Sequence, residues 1–161
     1  MTTTLLFKTV IFLLIAIPSS IIDIRRFRIP LMYVCGGIAI FVFADVAQFL
    51  RGGASSPSCF FNEIEAVVSS FLVFLAARVF SGGGLGKGDI VFGVFAALYT
   101  GFYSNMVATV FAALIGILFY LLLKIVENHS AQDNVFHPIF AIPFVPFITA
   151  GALLSKFLFL L

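Results

Sequence analysis

With 161 residues, 62% hydrophobic and 10% charged, and a mean hydropathy of +1.21, the chain lies far from soluble domains, in which about 25% of residues are charged. A net charge of +2 without any dense run of Lys and Arg excludes a phosphate-binding patch for nucleic acid, and no loop is long enough to hold a soluble domain. What remains is an all-α polytopic membrane protein, one domain over residues 1–161 with about six transmembrane helices, because each crossing needs roughly 20 apolar residues.

The first apolar run, Leu5 to about Ile22, carries Lys8 and ends in Pro18-Ser19-Ser20. A cleavable signal sequence has an apolar core of about 7–15 residues and a small-x-small cleavage site, neither of which fits, so the run reads as a retained helix. Pro18 removes a backbone donor and is expected to kink this helix about one turn before Asp23, in Asp23-Ile-Arg-Arg-Phe-Arg-Ile-Pro30. The second run extends from about Pro30 to Leu50, with Pro30 at a helix start, where its missing N–H costs nothing. A turn-rich linker, Arg51 to Pro57, leads to the third run, Ile64 to Phe80. Asp45, Glu63 and Glu65 fall near the ends of these runs, where interfacial water is expected to solvate them.

Between Gly82 and Gly88 stand five glycines in seven residues, which makes a helix interior there unfavourable. The fourth run, Ile90 to Phe102, has 13 residues and covers about 20 Å, short of the roughly 30 Å of hydrocarbon. Either the glycine-rich segment dips into the bilayer or the helix starts below the interface, and both put Asp89 of Gly86-Lys87-Gly88-Asp89 under the membrane surface. Irregular backbone is tolerated at that depth only when buried in protein or lining a wet cavity. The fifth run is about Met106 to Val126, followed by a polar loop, Asn128 to Pro138, whose His129 and His137 lack metal-ligand spacing. The sixth, Ile139 to Leu161, contains Pro143 and Pro146 and should be irregular in its first part.

The joins after runs one, three and five hold Arg25, Arg26, Arg28, Arg78, Lys87 and Lys124, against Lys8, Arg51 and Lys156 on the other side, so the first set is expected in the cytoplasm and both termini outside. Asp23 and Asp89 then share one side and one depth. An ionised carboxylate in lipid costs several kcal/mol, which makes each a functional candidate. Two carboxylates held close cannot easily both ionise. One can take a proton from water as it attacks a peptide carbonyl while its protonated partner stabilises the oxyanion, which is aspartic proteolysis without metal or other cofactor. Ser69 and Ser70 lie in an apolar run without a histidine, which argues against a serine dyad.

Asp23-x-Arg25-x-x-x-Ile29-Pro30, Gly86-x-Gly88-Asp89 and Ile142-Pro143-Phe144-x-Pro146-Phe147 occur in an order and spacing that resemble the type IV prepilin peptidases, membrane aspartic proteases of the Gly-x-Gly-Asp class. The resemblance covers nearly the whole chain. It implies that Asp23 and Asp89 are the catalytic pair, with Arg25, Pro30, Gly86, Lys87 and Gly88 shaping the site. It also implies a partner, the precursor of a pilin-like protein, cut in the inner membrane on the cytoplasmic side between a short basic leader and an apolar helix. Larger relatives carry a zinc-binding insertion with paired Cys-x-x-Cys and methylate the new N-terminus; here there are only Cys35 and Cys59, so a short peptidase without methyltransferase activity is expected. Relatives often have Lys and Asn or Asp where this chain has Val91 and Leu31. Lys87 reads first as an interfacial anchor, and Arg25 first as a topology determinant with a possible second role beside Asp23. Two other readings use the same acids: a small proton- or cation-coupled transport subunit, and an inactive scaffold for pilus assembly.

Overall fold

In hydrocarbon only an element that satisfies its own backbone persists, so each apolar run folds as a helix. The computed structural model describes residues 3–50, 57–81, 84–130 and 142–159. Among the described residues there are six helices and no strand: α1 (Thr3–Arg26), α2 (Leu31–Leu50), α3 (Pro57–Phe80), α4 (Lys87–Thr100), α5 (Phe102–Ser130) and α6 (Val145–Leu158). Leu5–Arg26, Leu31–Leu50 and Phe102–Ile125 are long and apolar enough to cross a membrane. Large apolar side chains such as Phe43 and Phe80 stand on the outside of the bundle, the inverse of a soluble protein's surface.

Several boundaries differ from the sequence reading. Helix α1 continues unbroken through the exposed Pro18, so Asp23 lies inside the helix rather than after it. Helix α3 begins at Pro57, seven residues ahead of Ile64, and so includes Cys59 and Glu63, which precede the expected third run. Helix α5 runs to Ser130, so Asn128 and His129 have helical backbone, whereas His137 and the linker from Arg51 to Ser56 lie outside the described residues. Residues Ile142–Phe144 are non-helical, as the prolines suggested, and α6 opens with Pro146 in its first turn, where no N–H is needed.

Helix α4 resolves the question of the short fourth run. Its 14 residues cover about 21 Å, and it packs against all five other helices. Ile90, Phe92, Gly93 and every residue from Phe95 to Thr100 are buried. A helix encased in protein has no need to match the bilayer. Phe95 is the hub: Phe12 of α1 and Phe41 of α2 stack on it with ring centroids 5.4 and 5.2 Å away, and Phe12 also stacks on Tyr99 at 4.2 Å. Gly101 separates α4 from α5 by a single residue at φ 75°, a conformation glycine adopts freely. Its N–H bonds the Ala97 carbonyl and its carbonyl receives the Asn105 N–H, both at 2.8 Å, so one helix closes as the next opens.

The most extensive helix pairing is α5 with α6. A β-carbon at Gly151 would collide with the Ala108 carbonyl and come within 3.1 Å of the Ala112 nitrogen. Small residues permit such backbone approach, and close packing holds helices together where lipid offers no hydrophobic drive. Gly151→Val is therefore expected to destabilise the bundle by at least about 1–3 kcal/mol, read as a lowered melting temperature in detergent.

At the end of the bundle near the start of α1, Lys8 is buried, with its Nζ 2.6 Å from Asp45 Oδ1 of α2 and 2.8 Å from Glu63 Oε1 of α3. The reading of Asp45 and Glu63 as water-solvated is thus corrected: both clasp Lys8, and only Glu65 is exposed. The one acidic residue of α1, Asp23, is about four turns away from Lys8, and burial forces the lysine to meet carboxylates from two other helices. Lys156 lies over the Tyr99 ring at 5.8 Å, and the Tyr99 hydroxyl is 3.3 Å from Thr9 Oγ1, which extends this polar layer to α4 and α6.

Candidate active site

Along α1, Phe12, Ala16, Ser19 and Asp23 are buried at intervals of four, three and four residues. That spacing is one face of a helix, so the stripe that anchors α1 in the core also carries Asp23 inward. The Asp23 carboxylate is 5% exposed, and its Oδ2 accepts the Val145 N–H at 3.1 Å. Val145 is the first residue of α6, whose opening N–H groups have no partner within the helix. Asp23 thus caps α6 from across the bundle, where the positive end of the helix favours a carboxylate. Nearby on the same seam, Ser20 Oγ lies 3.2 Å from Thr149 Oγ1, which also donates to the Val145 carbonyl at 2.9 Å.

Asp89 reaches its position by a different route. The glycine-rich segment becomes helical at Lys87, so Asp89 is in the first turn of α4 and its Oδ2 accepts the Gly86 N–H at 2.9 Å, as the acidic residue of a capping box does. Gly88 is the contact point of that turn: a β-carbon there would lie 2.8 Å from Ile29 Cδ1, so the link between α1 and α2 rests directly on it. The rest of the segment is tied to α3. The Arg78 guanidinium donates to the Leu85 carbonyl, the Leu85 N–H bonds Ser81 Oγ at 3.3 Å, and the Gly84 N–H bonds the Ser81 carbonyl at 3.2 Å.

Asp23 and Asp89 line one open cavity of about 520 Å³. Gly86 and Ser81 also line it, Tyr120 comes from α5, and Phe27, Leu85, Ile142 and Phe144 make its apolar walls. Among the described residues neither carboxylate meets a cationic side chain, and both are held by backbone N–H groups. Such an arrangement leaves a carboxyl free to exchange protons with water in the cavity, which a tight ion pair would prevent.

The other residues singled out in the sequence surround this cavity without all lining it. Arg25 is exposed in the last turn of α1 and forms no ion pair with Asp23. Lys87 is exposed at the start of α4, as are Arg26 at the end of α1 and Arg28 on the α1–α2 link. Pro30 lies one residue before α2, where its carbonyl accepts the N–H groups of Tyr33 and Val34 at 3.0 and 3.4 Å. Leu31 is exposed and Val91 packs against the core. Three participants were missed: Arg78, read only as a topology charge, the Val145 amide, and Phe27. The signal for Val145 was present in Pro143-Phe144-Val145-Pro146, since flanking prolines cannot donate and leave the amides between them to seek outside partners.

Residues 9–121, more than half of the chain and including both Asp23 and Asp89, match the family model described as "Type IV leader peptidase family". No curated protein and no solved structure matches the chain.

Proposed function

Because the chain belongs to the type IV leader peptidase family, we propose that it is an aspartic endopeptidase whose catalytic pair is Asp23 and Asp89. A peptidase of a membrane family with a protein substrate is the common ground of that membership. The observation that carries the finer reading is the shared cavity, into which two carboxylates from distant parts of the chain turn without a cation to neutralise either. One carboxylate accepts a proton from water as the water oxygen attacks the scissile carbonyl. The other, protonated, donates to the developing oxyanion and the proton then passes to the departing amine. No metal or cofactor enters this scheme.

The proposed substrate is a pilin-like precursor, cut between its short basic leader and the apolar helix that stays in the membrane. Exposed Arg25, Arg26, Arg28 and Lys87 stand at or next to helix ends beside the elements that form the cavity, and exposed Lys124 follows the cavity-lining Tyr120 by one turn of α5; short basic joins face the cytoplasm. A site at that boundary of the prokaryotic inner membrane meets the precursor where leader and helix join. The whole chain acts as one peptidase domain and leaves the new N-terminal amine unmethylated. The transport reading has no observation of its own in its favour.

The test is to incubate the chain, reconstituted in nanodiscs, with a purified pilin-like precursor and to read the product N-terminus by mass spectrometry. A single cut at the junction of leader and helix is expected; an intact precursor would reject the reading. A second outcome follows from the loop ties. Arg78→Met removes the donor to the Leu85 carbonyl, and since a hydrogen bond to a charged group contributes about 1.5–3 kcal/mol, loosening Gly86 and Asp89 is expected to slow cleavage by about tenfold or more.

A further inference from the structure

Phe27 is the one non-glycine residue at positive φ among the described residues, at 49°. Its N–H bonds the Asp23 carbonyl at 2.8 Å, so it occupies the position just past α1 where helices turn left-handed, and where glycine or asparagine is the ordinary occupant. The turn itself is needed, because it directs the link so that Ile29 lands on Gly88. A phenyl ring is not needed for that turn, and its β-carbon strains it. Nor does the ring repay this by filling the core: the residue is 54% exposed. Phe27 is instead one of the residues that line the cavity holding Asp23 and Asp89, together with Leu85 and Phe144.

We propose that Phe27 is a specificity-determining residue, its ring forming with Leu85 and Phe144 the wall of a subsite for an apolar side chain of the substrate next to the scissile peptide. The assignment rests on the peptidase reading. Backbone strain retained beside a reactive pair is expected where a side chain must be aimed, because the fold alone would select glycine. The strained ring is therefore read by the substrate rather than by the protein.

The experiment compares wild type with Phe27→Gly and Phe27→Leu in nanodiscs on two purified precursors, one natural and one with Ala replacing the apolar residue beside the cut bond. Gly suits the turn, so F27G is expected to melt at the wild-type temperature or above it. On the natural precursor F27G should lose about tenfold to a hundredfold in kcat/KM, mostly through KM, as loss of a buried phenyl contact implies. F27L should recover most of that loss. The Ala precursor should cost wild type a similar factor and cost F27G little more, because both changes remove the same contact. Equal cleavage of the natural precursor by F27G and wild type overturns the assignment. So does a loss in F27G of the same size on both precursors, which would make the ring an interfacial anchor. If wild type cuts neither precursor, the peptidase reading falls and this one with it.

Discussion

Replacing Asp23 or Asp89 by Asn is expected to reduce leader removal by at least about 10³-fold, since loss of a positioned acid or base costs roughly 10²–10⁴ and in the proposed mechanism the same pair also stabilises the oxyanion. The protein itself should survive. An asparagine oxygen can still accept the Val145 N–H at position 23 and the Gly86 N–H at position 89, so the links to α6 and to the start of α4 remain. Melting temperatures in detergent should therefore stay within a few degrees of wild type. The double variant D23N/D89N should be scarcely slower than either single variant, because residues that act as a unit are strongly non-additive. Cleavage at a substantial rate by either single variant would reject the pair.

Lys8→Met should have the largest effect on stability. It leaves the Asp45 and Glu63 carboxylates facing each other in a largely buried site without their cation, and removing one partner of a buried ion pair costs about 3–5 kcal/mol. Replacing all three residues with apolar ones of similar volume should restore most of the loss, because the desolvation of the charges disappears together with their attraction. Unfolding of wild type, K8M and the triple variant in the same detergent checks both statements. A K8M protein as stable as wild type would mean that water reaches the cluster freely. Since the triad stands at the other end of α1 from Asp23, K8M should retain cleavage at temperatures where it is folded.

Much of the architecture was legible in the chain, because apolar runs in a chain this poor in charge have only one way to satisfy their backbone. The number of helices, the irregular entry to α6 and the two candidate aspartates came from that logic and from the glycine and proline positions. Less legible was whatever depends on which faces meet. Lys8 and Asp45 are far apart in sequence and read singly as interfacial charges; only the packing of α1 against α2 turns them into a pair. Helix ends were also hidden, since a polar residue such as Glu63 extends α3 when a neighbouring helix supplies the partner that water would otherwise supply. Phe27 was invisible for a simpler reason: a positive φ leaves no compositional trace when the residue is not glycine.

The hydrogen bond from Val145 to Asp23 joins the last helix to the first. During synthesis both aspartates emerge and can enter the membrane well before α6 is made, yet one of them has no anchor until the ribosome has delivered Val145. On the proposed reading, Asp23 is therefore held in place for cleavage only once α6 has joined the bundle.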